Sequence, residues 1–156
     1  MAKSRRVVII GLDGAPFSLI KSLSSQGITP AIKEIISKGS FRKMQSSIPE
    51  ISSVAWSSLV TGKNPAEHGI FGFTDLHPDS YRLRFPNFRD LKAPAFWEKN
   101  NSQSVIINVP ATYPARPISG VHISGFVSID LEKSVYPATL VPKLKELDYR
   151  LTSVQN

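Results

Sequence analysis

The chain has 156 residues, of which 41% are hydrophobic and 20% are charged, so it is long and apolar enough for a globular domain with a buried core. It contains no cysteine, which excludes disulfide bonds, thiolate zinc sites and a cysteine nucleophile. The formal net charge of +7 is scattered along the chain, so a solvated surface explains it better than a nucleic-acid interface.

The first segment, MAKSRRVVIIGLDG, combines a basic cluster with a short aliphatic run at residues 7–10. This run is too short for a signal-peptide core or a membrane span, so the sequence predicts a cytoplasmic protein that does not enter the membrane. Its aliphatic residues are consecutive, as in a strand that is buried on both faces of a parallel sheet. We therefore expect the first, central strand of a sheet here.

Two helices are predicted next. The segment PFSLIKSLSSQG fits a short helix closed by Gly27. The segment TPAIKEIISKG fits a second helix, with Thr29 as cap, Pro30 at its first position and Gly39 at its end. SFRKMQS is then interpreted as a strand that leads to the motif PEISSVAWSSLVTG, in which VAWSSLVT is predicted to be a helix ending at Gly62.

The remaining chain alternates between loops and regular elements. Residues 74–94 are aromatic, charged and interrupted by prolines, which predicts a long loop with a weak strand near YRLRF. A helix at APAFWEKNN, a second buried strand at SVIINVP, a turn at ATYPARP and a strand near VHISGFV follow. The alternation indicates an α/β layered fold, which we interpret as a single domain over residues 1–156.

Two positions could carry chemistry. Asp13 follows the first predicted strand, at the sheet edge where ligands gather, and its carboxylate suits either a metal ion or the backbone N–H groups of its own turn. Ser52 and Ser53 precede an apolar segment, where a serine is more often a helix cap than a nucleophile. If Ser52 and Asp13 meet at one edge, a metal ion on the carboxylate would favour the serine alkoxide.

The histidines and tryptophans have simpler interpretations. His68 is better explained as a hydrogen-bonding residue of a loop than as a metal ligand. His77 and His122 have no carboxylate at the spacing of a metal site. Trp56 is expected in the core.

Three ordered segments, VVIIGLDGAPF, IPEISSVAWSSLVTGKNPAEHGIFGF and VIINVPATYPARPISGVHISGF, resemble the amino-terminal part of the alkaline phosphatase superfamily. Within it, the chain is most similar to type I phosphodiesterase/nucleotide pyrophosphatase proteins. The resemblance implies a three-layer α/β/α fold with a mostly parallel central sheet, of which this chain is the amino-terminal half. It also implies that Asp13 binds a metal ion. Ser52, nine residues before Thr61 of the TG pair, would be the nucleophile and a metal ligand, with Ser53 as cap or backbone neighbour.

The same resemblance implies a metal-dependent phosphoester hydrolase of the phosphodiesterase or phosphatase type. It would act on a small phosphoester through a seryl-phosphate or nucleotidyl-seryl intermediate, with two zinc ions or, as a second choice, manganese. The other metal ligands of such proteins belong to a carboxyl-terminal half. This chain is therefore expected to be inactive unless that half or self-association completes the site, over which residues 74–94 would form an inserted loop. The alternatives are a phosphomutase resembling cofactor-independent phosphoglycerate mutases and a non-catalytic remnant of the fold.

Overall fold

The structure, a computed structural model, describes residues 6–99 and 102–151 of the chain. The chain divides into two compact units, Met1–Gln45 and Ser46–Asn156. Helices and small sheets are both present, so the fold is mixed α/β. None of the helices described in these ranges is long and apolar enough to cross a membrane.

The first unit contains the two predicted helices, α1 (Phe17–Ser25) and α2 (Pro30–Lys38). Gly27 has the positive φ of 75° that ends the turn after α1, and α2 has Pro30 at its start and Gly39 at its end, as predicted. The predicted Thr29 cap is wrong, because the Thr29 side chain makes no capping hydrogen bond. Its backbone angles, φ −118° and ψ 73°, lie outside the extended region that a capping residue usually adopts.

Neither strand predicted for this unit is present. Residues 6–10 and 40–46 form neither helix nor strand, and Val7, Val8, Ile9 and Ile10 are 84%, 81%, 63% and 78% exposed. A strand buried on both faces needs neighbouring strands and covering helices. The two sheets of the described chain, at residues 75–84 and 104–136, contain no strand from the first unit.

The second unit begins with two consecutive helices. Helix α3 (Ser52–Thr61) ends at Gly62, as predicted, and Gly62 has a left-handed φ of 66°. The helix begins at Ser52, two residues before the predicted start at Val54. Helix α4 (Pro65–His68) follows, and a reciprocal capping box between Asn64 and Glu67 fixes its start.

A three-stranded sheet follows along the chain. Its order is β3 (Ser104–Val109), β4 (Gly120–Ser124) and β5 (Val135–Tyr136), with β3 parallel and β5 antiparallel to β4. At Gly120, which pairs with Ser104, a Cβ atom would lie 2.0 Å from the Ser104 carbonyl oxygen, so only glycine fits. The predicted strands at SVIINVP and VHISGFV are confirmed.

The first of these two strands is less buried than predicted. In β3 only Ile106 is buried, whereas Val105 is 68% and Ile107 is 54% exposed. The prediction of a fully buried strand is wrong here because β3 lies at the edge of the sheet and one of its faces is uncovered.

Shorter elements complete the second unit. The strands β1 (Asp75–Leu76) and β2 (Leu83–Arg84) pair antiparallel, which confirms the weak strand predicted near YRLRF. The helix predicted at APAFWEKNN is a single 3₁₀ turn, Phe96–Glu98. The other elements are a 3₁₀ turn at Phe88–Asp90, helix α5 (Leu131–Ser134), a 3₁₀ turn at Ala138–Leu140 and helix α6 (Val141–Glu146).

The buried apolar side chains of the second unit form two clusters. The larger cluster joins α3, the 3₁₀ turns and β3; its buried members are Val60, Ile70, Phe88, Leu91, Ala95, Trp97 and Ile106. The smaller one lies between β4, β5 and α6 and contains Ile123, Val135 and Val141. Trp56, predicted to lie in the core, is only half-buried.

Candidate functional site

Helix α3 begins at Ser52, which places this serine at the end of the helix where backbone N–H groups point outward. The carbonyl oxygen of Ile51, the preceding residue, accepts hydrogen bonds from the N–H groups of Val54 at 3.0 Å and Ala55 at 2.9 Å. These bonds close the first turn of the helix. Ser52 is half-buried. The amino-terminal end of a helix carries partial positive charge and favours an anion such as phosphate.

Ser53 is the second residue of α3 and does not cap it, which corrects one of the two roles predicted for it. Ile51 occupies the cap position, and its side chain cannot accept a hydrogen bond, so α3 has no side-chain cap. Ser53 is 5% exposed, and its Oγ atom has no hydrogen-bond partner among residues 6–99 and 102–151. Its remaining role is that of a backbone neighbour of Ser52.

Asp13 lies in the first unit, in an exposed turn that precedes α1. The next residue, Gly14, has a left-handed φ of 65°, a conformation that favours glycine at this point of the turn. Ser52 belongs to the second unit. The meeting of Asp13 and Ser52 at one metal ion therefore stays a prediction.

The described residues do not by themselves fit a two-metal centre. Nowhere in the described ranges do three or more histidine, cysteine, aspartate or glutamate side chains come together in an arrangement that could hold a metal ion. A catalytic zinc ion usually takes about three protein ligands, and a pair of ions takes more. Asp13 and Ser52 would supply only part of such a set.

His68, which is buried, and the partly buried Ser58 resemble a catalytic pair but have the wrong hydrogen-bond direction for one. The Nδ1 atom of His68 accepts the N–H of Ile70 at 3.1 Å, so the neutral ring carries its proton on Nε2. Nε2 therefore donates to Ser58 Oγ, which lies 3.0 Å away. Burial lowers the pKa of His68 and keeps the ring neutral. A ring nitrogen that carries a proton cannot remove one from serine, so the predicted hydrogen-bonding role of His68 is confirmed.

The second buried histidine, His122 on β4, belongs to an aromatic and charged cluster. Its Nδ1 atom accepts the N–H of Arg116 at 3.1 Å, and burial lowers its pKa. The Arg116 guanidinium lies 4.1 Å from the centre of the Phe88 ring and 3.1 Å from Glu98 Oε1. These contacts hold the loop around Phe88 against the sheet, and they explain His122 as a packing residue.

An arginine with two carboxylate partners organises the segment between residues 74 and 94. The Nη2 and Nη1 atoms of Arg84 each lie 2.6 Å from a carboxylate oxygen, Nη2 from Asp75 and Nη1 from Asp90. The N–H of Leu76 and the Arg84 guanidinium lower the pKa of Asp75. This cluster was not predicted from the sequence. One local signal was available, since Asn87 and Asp90 have the spacing of a capping box.

The family to which this chain belongs follows from a comparison with known protein families. A family model described as type I phosphodiesterase / nucleotide pyrophosphatase matches residues 7–148. The chain belongs to this family. No curated protein and no solved structure matches it. The predicted relationship is thus confirmed over most of the chain, and membership supports a phosphoester hydrolase at the level of the family.

The matched range, residues 7–148, includes Asp13, Ser52 and both buried histidines. His68 and His122 are both fully buried, and the Nδ1 atom of each ring accepts a backbone N–H. These features explain the two histidines as structural residues. Ser52 is the candidate nucleophile because its side chain stands at the amino-terminal end of a ten-residue helix.

Proposed function

We propose that this chain is the nucleophile-bearing part of a phosphodiesterase- or phosphatase-type hydrolase, with Ser52 as the nucleophile. The observation that carries the proposal is the position of Ser52 at the first residue of α3, within a chain that the family model matches over residues 7–148. The substrate would be a small phosphoester, because the end of one helix can receive a single tetrahedral anion.

The proposed reaction has two steps. The Ser52 hydroxyl loses its proton to solvent and its Oγ atom attacks phosphorus; the new Oγ–P bond forms while the bond from phosphorus to the leaving oxygen breaks, and the leaving oxygen takes up a proton from solvent. Water then attacks the seryl phosphoester, releases phosphate or a phosphate monoester and restores the serine hydroxyl. Helix α3 would favour the negative charge of the phosphoryl group in both steps.

The metal requirement remains part of the proposal. Asp13 and Ser52 are the proposed ligands of a divalent centre, with two zinc ions first and manganese second. When bound, such ions supply positive charge that favours a serine alkoxide at neutral pH. The described residues do not provide the rest of the ligand set. We propose that a carboxyl-terminal half or a second copy of the chain supplies it.

The finer architecture is proposed on the same basis. The parallel pair β3 and β4 would be one part of a mostly parallel central sheet in a three-layer α/β/α domain that includes residues 1–156. Residues 74–94, which Arg84 and its two carboxylate partners hold together, would form the loop over the site.

The test is hydrolysis of 4-nitrophenyl phosphate and bis(4-nitrophenyl) phosphate, with zinc or manganese present, by the full-length protein in which the proposed carboxyl-terminal half accompanies this chain. Replacement Ser52→Ala should lower kcat at least about 1,000-fold, since the attacking atom is lost. Ser46→Ala, which changes an exposed serine six positions earlier, is the matched control and should leave kcat unchanged. Mass spectrometry of the stopped reaction should find phosphate on the peptide that contains Ser52. A Ser52→Ala rate within about threefold of the parent chain would rule out Ser52 as nucleophile.

A non-catalytic remnant of the fold is the second candidate, and the observation that favours it is the lack of a three-ligand metal cluster in the described ranges. Calorimetric titration with zinc separates the two. Micromolar affinity of this chain for zinc that Asp13→Ala removes supports the hydrolase, whereas millimolar or undetectable binding supports the remnant. Transfer of phosphate to an added alcohol instead of water would indicate a phosphomutase.

A further inference from the structure

The buried residue Phe88 is held by one stretch of chain, residues 113–116, which follows β3. Its N–H donates to the carbonyl oxygen of Tyr113 at 2.8 Å. Its own carbonyl oxygen accepts a hydrogen bond from Arg116 Nη2, and the Arg116 guanidinium carbon lies 4.1 Å from the centre of its ring. Because both backbone groups and the ring of Phe88 are engaged, this stretch determines where Phe88 lies.

Arg116 in turn is held by two other parts of the second unit. Its Nη1 atom lies 3.1 Å from Glu98 Oε1, and its backbone N–H donates to Nδ1 of His122 on β4 at 3.1 Å. The guanidinium is planar and presents its donors in a fixed fork, so it can serve Glu98 and the Phe88 carbonyl at once. Arg116 therefore links Phe88 to the sheet and to Glu98.

The segment that contains Phe88 lies beside the start of helix α3. Phe88 lines a small cavity together with Ser53 and Ser57, which lie in the first two turns of this helix. It also belongs to the same apolar cluster as Val60 of α3. Since α3 has no side-chain cap, packing of this kind has to supply much of the stability of its first turn.

We propose that Arg116 is a positioning residue of the candidate site. Through Phe88 it keeps the first turn of α3 in place, and with this turn it keeps Ser52 in place. The catalytic part of this inference rests on the proposed function, because the position of Ser52 affects turnover only if Ser52 is the nucleophile. A displacement of a reacting group by about 1 Å can lower the rate about 100-fold, so such a residue affects catalysis without contacting the substrate.

Hydrogen–deuterium exchange of this chain tests the structural part of the inference. Arg116→Gln removes the charge and the fork, so the N–H groups of Val54 and Ala55, which close the first turn of α3, should exchange about tenfold faster. Exchange in helix α6 should stay unchanged. Arg89→Gln, which changes an exposed arginine next to Phe88, is the matched control and should have no effect. Unchanged exchange at the start of α3, or an equal increase in α6, would overturn the proposal.

A second variant, Arg116→Lys, separates the effect of charge from that of geometry. Lysine keeps the positive charge, but its single ammonium group lacks the fork that serves Glu98 and the Phe88 carbonyl together. Exchange at the start of α3 should therefore lie between that of the parent and that of Arg116→Gln. Exchange in Arg116→Lys as fast as in Arg116→Gln would confirm that the fork is needed, whereas both variants exchanging like the parent would overturn the inference.

Turnover by the full-length protein tests the catalytic part. Arg116→Gln should lower kcat about tenfold and leave KM within about twofold, because the geometry of attack changes while the substrate contacts do not. Arg89→Gln should change neither. If Ser52→Ala is inactive and Arg116→Gln keeps the parent kcat or changes KM alone, the positioning role is wrong. If Ser52→Ala remains active, the proposed function fails instead, and the exchange experiment still decides whether Arg116 orders the start of α3.

Discussion

Two aliphatic segments of similar composition have different environments in the two units. Residues 7–10 of the first unit, VVII, are 63–84% exposed and form no strand. The segment Ser104–Val109 of the second unit, SVIINV, forms β3 and buries Ile106 to 9% exposure. The composition of the segments does not explain the difference. Their neighbours do, because β3 pairs with β4, whereas the described chain provides no strand that pairs with residues 7–10.

Burial increases with the number of neighbouring strands. Within residues 6–99 and 102–151, residues 7–10 have no neighbouring strand, β3 has one and keeps Val105 68% exposed, and β4 lies between two strands. In β4 the residues His122, Ile123 and Ser124 are 0%, 7% and 1% exposed. An aliphatic run therefore indicates that a segment can be buried, while its partners determine whether it is.

The largest expected effect comes from the core of the second unit. Phe88 is 1% exposed, and Phe88→Ala should lower the free energy of unfolding by about 4 kcal/mol through lost burial and a new cavity. Denaturant unfolding followed by tryptophan fluorescence measures this unit directly, because both tryptophans, Trp56 and Trp97, lie in it. Phe85→Ala, at a position 73% exposed, is the control and should cost about 0.5 kcal/mol or less. Equal losses in the two variants would contradict the burial described for Phe88.

A smaller effect is expected from pH. Burial lowers the pKa values of His68 and His122 in the folded chain, so the unfolded chain takes up protons at a higher pH than the folded chain does. Stability should therefore be constant above the unfolded pKa of about 6.5 and fall as the pH drops below it, with a slope of at most about 1.4 kcal/mol per pH unit for each histidine.

Two variants test whether the two buried histidines cause this dependence of stability on pH. Each of the variants His68→Gln and His122→Gln should weaken the dependence on pH between 7 and 5.5, whatever its effect on stability at pH 7. His77→Gln is the control, since His77 is exposed. A dependence that remains unchanged in both buried variants would show that other groups cause it.

The sequence predicted the features that depend on residues close together in the chain. The start of α2 at Pro30 and the end of α3 at Gly62 follow from backbone preferences of proline and glycine. Helix α2 also ends at Gly39 as predicted, but Gly39 is extended, with φ −128° and ψ −152°, a conformation that other residues adopt as well. The hydrogen-bonding role of His68 could also be predicted, because its partner Ile70 is two residues away.

Features that depend on distant residues were not predictable. The link between Arg84 and its carboxylate partners Asp75 and Asp90 depends on how a hairpin folds back. At the candidate site, Ser52 was predicted to precede the helix and Ser53 was offered as a cap, whereas the helix begins at Ser52 and Ile51 holds the cap position. The cap position follows from the backbone angles of Ile51 and not from the presence of a hydroxyl nearby.

The smallest expected effect lies in the first unit and is the sharpest test of the comparison. Ile10 is 78% exposed, so Ile10→Ala should change the free energy of unfolding by about 0.5 kcal/mol or less. Ile106→Ala in β3 removes the same atoms from a site 9% exposed and should cost about 3 kcal/mol. Circular dichroism at far-ultraviolet wavelengths can follow both variants, because each unit contains helices. A loss at Ile10 as large as that at Ile106 would mean that residues 7–10 are buried in solution. The difference between the two segments would then disappear, and the partners of residues 7–10 would have to be sought in a strand outside the described chain or in a second copy.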